Sequence, residues 1–302
     1  MKLRDGLLLA AAALAAGTVG VADYVARSLT VKPKPALDGD YTLNPWDMNV
    51  PFEEVTFASA DGLRLAGWLF SHPDEQRVIV ACSGFNGSKD QLVGIGTWLW
   101  RRGFNVLLFD YRGQGQSDPA MTTLGHAEVG DWRAAVDFVC DRFPGARVGA
   151  LGFSMGGATT ILGAAVDERV RAVAVDGPFA ELKTTVGNIF RAKTHLPTFP
   201  FMDVAEWLVQ WRAGYRLGAV VPLQAVSQIS PRPLLIVGGT ADTTCYFSEQ
   251  EKLYAAAGQP KALWRLEGVE HCGGYFADRE QYVERMTSFF SEGLRQGEHP
   301  YA

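Results

Sequence analysis

Arg147-Val148-Gly149-Ala150-Leu151-Gly152-Phe153-Ser154-Met155-Gly156-Gly157 is the stretch on which the fold of this chain turns. Arg147 to Leu151 is a short apolar run of strand length, and Met155 to Ala165 has the apolar spacing of a helix. Between them stands Gly-x-Ser-x-Gly. Glycines on both sides let a strand turn sharply into a helix, and the serine at the apex is held out at the strand tip. This nucleophile-elbow pattern makes Ser154 the candidate nucleophile.

The same rhythm recurs on both sides of the elbow. Arg77 to Ala81, Asn105 to Phe109, Val170 to Val175, Pro233 to Val237 and Ala262 to Leu266 are mostly apolar rather than alternating, as in strands buried on both faces. Leu92 to Arg102, Ala127 to Arg142, Glu249 to Ala257 and Gln281 to Leu294 have helical spacing. Strand and helix in alternation predict an α/β fold: right-handed crossovers and a mostly parallel sheet with helices on both faces. Ahead of it, Val55 to Ala58 and Leu63 to Phe70 flank Ser59-Ala60-Asp61-Gly62, which reads as an opening hairpin. The stretch between Val175 and Pro233 is too long for a structureless loop. Trp207, Leu208 and Trp211 have helical spacing there, and Phe179, Phe190, Phe199, Phe201 and Tyr215 add aromatic surface. A small helical cap inserted at about residues 178–230 is expected.

In such sheets ligands bind at the carboxyl ends of the strands. A serine hydroxyl is a poor nucleophile near neutral pH, so a base must take its proton and a third group must orient the base. Of the five histidines, His271 alone follows a late apolar strand, in the glycine-rich Glu267-Gly268-Val269-Glu270-His271-Cys272-Gly273-Gly274. His72 and His299 lie in polar contexts, His126 lies where a helix opens, and His195 falls in the cap. The acid should leave the carboxyl end of the preceding strand, as Asp242 does after Leu234 to Thr240; Asp176, after an earlier strand, competes. Glu267 and Glu270 are too close to His271 in sequence to orient it easily. Acyl transfer also needs two backbone N–H donors for the developing oxyanion. Met155, at the helix start, should supply one. Cys82-Ser83-Gly84-Phe85-Asn86-Gly87 follows a strand and could present the amide of Phe85, or be a plain strand-to-helix loop.

With the elbow, the order Ser154, Asp242, His271, and Asp110-Tyr111-Arg112-Gly113-Gln114-Gly115-Gln116-Ser117, the chain from about Phe52 to Leu294 resembles the α/β-hydrolase superfamily. The last stretch looks like the D-x-R-G-x-G-x-S loop many members carry after a central strand. The resemblance implies the α/β-hydrolase fold, a Ser154, Asp242, His271 triad and an activity of the esterase or serine-aminopeptidase kind. One departure stands out: members commonly have His-Gly at the oxyanion loop, whereas this chain has Ser83-Gly84.

Apolar residues make up 47% of the 302 and charged residues 20%, as in a globular protein long enough for one full core. A net charge of −5 without a basic stripe speaks against a nucleic-acid partner. Cys82, Cys140, Cys245 and Cys272 lack metal or redox spacing, so four idle thiols or a Cys245 to Cys272 disulfide are both compatible with the sequence, and no metal or organic cofactor is implied. Lys2 and Arg4 precede an uncharged stretch from Gly6 to Ala22, and Lys32-Pro33-Lys34-Pro35 forms a stiff linker. Residues 1–35 therefore read as a signal or transmembrane anchor, with membrane association through residues 6–22, ahead of a hydrolase domain at 50–302. The alternative is an apolar helix packed on the enzyme's own surface. Basic residues flank both sides, so the orientation is open and a cytoplasmic face stays compatible with export or anchoring.

The expected activity is hydrolysis of a carboxylic ester or thioester of a small molecule through an acyl-enzyme, with the aromatic cap favouring an apolar acyl or aryl group. A peptidase or amidase using the same triad is the alternative, for which Glu181, Arg191, Asp203 and Glu206 in the cap are candidate charged contacts. A membrane-tethered interaction protein that merely keeps the fold is the third reading.

Overall fold

The computed structural model describes residues 3–30 and 43–295, the side chains of residues 3, 4 and 6–10 excepted; the Lys32 to Pro35 linker lies outside these described residues. Its strands are β1 (Glu53–Ala58), β2 (Arg64–Phe70), β3 (Arg77–Cys82), β4 (Asn105–Phe109), β5 (Arg147–Phe153), β6 (Val170–Asp176), β7 (Leu234–Gly239) and β8 (Lys261–Leu266). Its helices are α1 (Leu3–Thr30), α2 (Val93–Arg101), α3 (Glu128–Arg142), α4 (Met155–Val166), α5 (Leu182–Thr194), α6 (Phe201–Ala213), α7 (Pro222–Ala225), α8 (Phe247–Ala256), α9 (Gly274–Ala277) and α10 (Arg279–Gly293).

All eight strands join one sheet in the order β1-β2-β4-β3-β5-β6-β7-β8. β1 and β2 form the expected hairpin, and β2 also pairs antiparallel with β4. From β4 to β8 every pairing is parallel. The apolar strand runs follow from this arrangement, because each inner strand has a helical layer on both sides. In β3, Val78, Val80 and Cys82 enter one core with Trp132 of α3, Ile161 of α4 and Leu253 of α8. Ile79 and Ala81 point the other way, into a second core with Leu99 of α2 and Tyr282 and Phe290 of α10. The period of two along the strand and the burial of both faces together demand a run of apolar residues rather than alternation. The carboxyl ends of β5, β7 and β8 thus come to one rim, and there the sequence places Ser154, Asp242 and His271.

Two expectations are corrected. The apolar amino-terminal stretch belongs to one long helix, α1, and among the described residues no helix is long and apolar enough to cross a membrane. The physical reason lies in its second half: Asp23 pairs with Arg212 of α6 and with Arg27 on α1 itself, and Ala22, Ala26 and Thr30 are fully buried. That half is a helix packed on the body of the protein. The second correction concerns residues 178–230, which fold as α5, α6, α7 and short 3₁₀ turns. The helical content is as expected, and what differs is the direction of the aromatic residues: Phe179, Phe190 and Tyr215 are buried in the core, while Phe199, Trp207 and Trp211 face outward.

Candidate active site

Ser154 stands between β5 and α4 with φ 54° and ψ −119°, in the left-handed region that strains any residue with a Cβ. The neighbouring glycines make this turn possible by close approach. A Cβ on Gly152 would lie 2.4 Å from the Gly156 carbonyl oxygen, and one on Gly156 would lie 2.4 Å from the carbonyl oxygen of Ser83. The Ser154 amide donates to the Asp176 carbonyl at 2.8 Å, which fixes the apex against the adjacent strand.

His271 comes from the loop after β8. Its Nε2 lies 2.8 Å from Ser154 Oγ and its Nδ1 2.6 Å from Asp242 Oδ2. The other carboxylate oxygen, Oδ1, accepts from the amides of Thr244 and Cys245 at 2.7 and 2.9 Å, so the side chain of Asp242 is held in one orientation. A carboxylate can only accept, so the Nδ1 facing it carries the ring proton and Nε2 is left as the acceptor for the serine hydroxyl. The three residues form one continuous hydrogen-bonded chain. Asp242 is buried and His271 is a quarter exposed on its side chain, so water reaches the serine end but not the acid.

Asp176, the competing acid, is also buried nearby. Its Oδ2 accepts from the Tyr282 hydroxyl at 2.8 Å, and its ring partner is therefore tyrosine rather than histidine. Burial pushes its pKa up to about 6, with the tyrosine hydrogen bond opposing the rise. Its placement at the end of β6 explains why sequence position alone could not separate it from Asp242.

The loop after β3 brings Gly84 against the serine: a Cβ there would lie 3.0 Å from Ser154 Cβ and 3.5 Å from its Oγ. Phe85 follows at the wall of the same cavity, and Met155 heads α4, where the first amides have no acceptor within the helix. The loop is tied down from behind. Lys89 is buried, and its Nζ donates to Asp110 Oδ2 at 2.6 Å and to Gln116 Oε1 at 2.8 Å, while its amide donates to Asp110 Oδ1 at 2.7 Å. Arg112 donates to Asp131 and Asp61 from the same D-x-R-G-x-G-x-S loop. This loop therefore braces the floor of the site and does not enter it.

Ser154 and His271 open into a cavity of about 790 Å³. Its apolar walls come from Phe85, Leu92, Ile95, Phe153, Tyr275 and Phe276, with Met48 and Leu43 at the side of the amino-terminal segment and Asp90, Gln91 and Arg279 as its charged and polar members. None of its lining falls within 178–230, so the expected cap lining is absent among the described residues. Asp203 and Glu206 are occupied by Lys183 instead. Sequence reading missed this set of wall residues. The available signals were the apolar Leu92 and Ile95 just after the loop of Gly84, and the aromatic pair Tyr275-Phe276 just after His271.

The four cysteines are free thiols, so no Cys245 to Cys272 disulfide forms. Cys272 donates to the Asp176 carbonyl at 3.4 Å, and burial raises its pKa well above the ordinary thiol value. Among the described residues no group of histidine, cysteine and carboxylate side chains is arranged to hold a metal ion.

A mostly parallel eight-stranded sheet that presents a serine at the tip of a central strand, with a histidine arriving from beyond the last strand, places the protein in the α/β-hydrolase class of folds. Residues 77–227 match the alpha/beta hydrolase fold family, and the chain belongs to it. It is similar to the uncharacterized protein YfhR of Escherichia coli K12, with 30% identity over 268 residues that span 85% of each chain. It is similar as well to the polyketide transferase GrgF of a Penicillium species, at 25% identity over 81% of this chain and 98% of that one. Among solved structures, the Pyrococcus furiosus esterase Pf2001 superposes with a TM-score of 0.73 at 23% identity, covering 88% of this chain and 99% of the esterase. At that identity the likeness speaks to the fold.

Proposed function

We propose that the protein is a serine hydrolase that cleaves a carboxylic ester or thioester with an apolar acyl or aryl group through an acyl-enzyme. The observation that carries this reading is the unbroken hydrogen-bonded chain from Ser154 Oγ through His271 to Asp242, opening on an apolar cavity. His271 Nε2 takes the hydroxyl proton as Ser154 Oγ attacks the carbonyl carbon, and Asp242 stabilises the imidazolium that forms. The amides of Met155 and Phe85 receive the negative charge that builds on the carbonyl oxygen. His271 returns its proton to the leaving oxygen or sulfur, then activates the water that releases the acid and regenerates Ser154. No cofactor is required by this sequence of steps.

The peptidase reading gains nothing from the expected cap charges, since Glu181, Arg191, Asp203 and Glu206 do not line the cavity. A fluorophosphonate probe and paired turnover of p-nitrophenyl esters and aminoacyl p-nitroanilides test the proposal. The wild type should label and turn over esters, and Ser154→Ala should do neither, with a loss of roughly 10⁶-fold in kcat. Equal labelling of both proteins would remove Ser154 from the mechanism; brisk anilide cleavage beside negligible ester turnover would move the activity to amides.

A further inference from the structure

The outer faces of α1 and α6 carry apolar surface that the other described residues leave uncovered. On α6, Trp207 and Trp211 follow each other at one-turn spacing and are 63% and 72% exposed; Phe199, at 74%, precedes the helix. On α1, Leu14 and Tyr24 are exposed to a similar degree. Every residue from Ala11 to Gly17 is exposed, although the sequence from Gly6 to Ala22 contains no charged side chain. A helix that is apolar on all sides is stable only in apolar surroundings. Indole rings, in turn, favour a boundary with an apolar body on one side and water on the other.

The two helices are one unit. Ala22 and Ala26 of α1 sit in the same core as Met202, Ala205 and Val209 of α6, and Asp23 pairs with Arg212 across the contact. The charge on α5 and α6 is positive in sum, with Lys183, Arg191, Lys193 and Arg212 against Asp203 and Glu206. Arg191 and Lys193, at the end of α5, are exposed and form no ion pair among the described residues, whereas the acidic Asp203 and Glu206 of α6 are held by Lys183. Lys2 and Arg4 precede the apolar run in the sequence.

We propose that the α1 and α6 face seats the protein on an anionic lipid bilayer, with α1 lying in the interfacial region rather than across it and Trp207 and Trp211 entering at headgroup depth. In the interfacial region a bilayer covers the exposed apolar surface of α1 without needing a matching surface, and its anionic headgroups attract the exposed Arg191 and Lys193 at the end of α5, which meets the start of α6 through the Phe190 and Phe201 rings. This inference stands apart from the chemistry at Ser154.

The test uses the full chain and vesicles of phosphatidylcholine with and without phosphatidylglycerol. The wild type should float with the anionic vesicles, and Trp207→Ala/Trp211→Ala should bind about tenfold less. A circular-dichroism spectrum and a urea-unfolding midpoint that match the wild type establish that the variant is folded. Trp207→Phe/Trp211→Phe keeps the aromatic bulk: it should still bind while losing most of the quenching that brominated lipids cause in the wild type. The proposal is overturned by no flotation of the wild type, by equal flotation of the double alanine variant, or by quenching that persists in the phenylalanine variant. A dimer in lipid-free buffer that the alanine substitutions dissociate would assign the face to a second copy of the chain instead.

Discussion

Asp242 and Asp176 are two buried carboxylates at the same sheet rim, and their partners give them different work. Asp242 receives two backbone amides on one oxygen and the His271 ring on the other. Replacing it with Asn should keep the geometry but favour the wrong imidazole tautomer, with kcat falling by about 10⁴-fold and little change in KM; steady-state kinetics on a p-nitrophenyl ester checks this. Asp176, with its pKa pushed up to about 6 from an ordinary 3.8, should instead shape stability. Between those pH values the folded protein keeps the proton that the unfolded chain has released. The contribution is therefore fully favourable below about pH 4, declines as the pH rises to 6 and is constant above it. Its span is roughly 3 kcal/mol. Asp176→Asn should remove this decline, as measured by urea unfolding of both proteins from pH 4 to pH 7; parallel curves for the two would show that Asp176 does not titrate there.

At the scale of elements, the site depends on how closely α4 and the loop after β3 approach each other. Gly156→Ala would press a methyl group against the Ser83 carbonyl oxygen and push the start of α4 away from that loop. On the proposed mechanism, a displacement of this kind should lower kcat by about 10- to 100-fold, with a lower Tm, because Ser154 and the amides proposed as oxyanion donors would no longer be in register. Lys89 joins the same loop to the turn after β4 through a buried pair with Asp110. Lys89→Ala would leave that carboxylate buried without its cation, and urea unfolding should show a loss of about 3–5 kcal/mol. Both effects belong to the junction between elements: Lys89 and Gly156 read as unremarkable residues of a loop and a helix until the two are seen back to back.

For the whole molecule, the division of labour between cavity and cap is the main consequence. The cavity at Ser154 is walled by the loop after β3, the start of α2 and the α9 region, while the insertion at 178–230 turns its aromatics into the core or out to solvent. On the proposed ester or thioester activity, acyl-chain selection should follow the walls. Each added methylene that the cavity buries contributes about 0.8 kcal/mol, or roughly a fourfold rise in kcat/KM, until the space is filled. Ile95→Phe should move the optimum to a shorter chain and Trp207→Ala should leave it in place, as a p-nitrophenyl ester series would show. A shift of the optimum in Trp207→Ala would return substrate selection to the cap.

The sequence by itself determined the α/β class, the order of strands and helices, and the positions of Ser154, Asp242 and His271 at strand ends, because local turn chemistry and apolar periodicity are written over a few neighbouring residues. What only the tertiary structure decided was contact between distant segments. It set Asp242 rather than Asp176 against the histidine, gave the cavity walls to Leu92, Ile95, Tyr275 and Phe276, and laid the second half of α1 on α6 through Ala22, Ala26 and the Asp23 to Arg212 pair. An apolar helix satisfies its hydrophobic surface equally well against lipid or against another helix, and an aromatic residue packs as well inward as over a substrate. Which of these wins depends on where the remainder of the chain has folded, and a linear pattern does not carry that information.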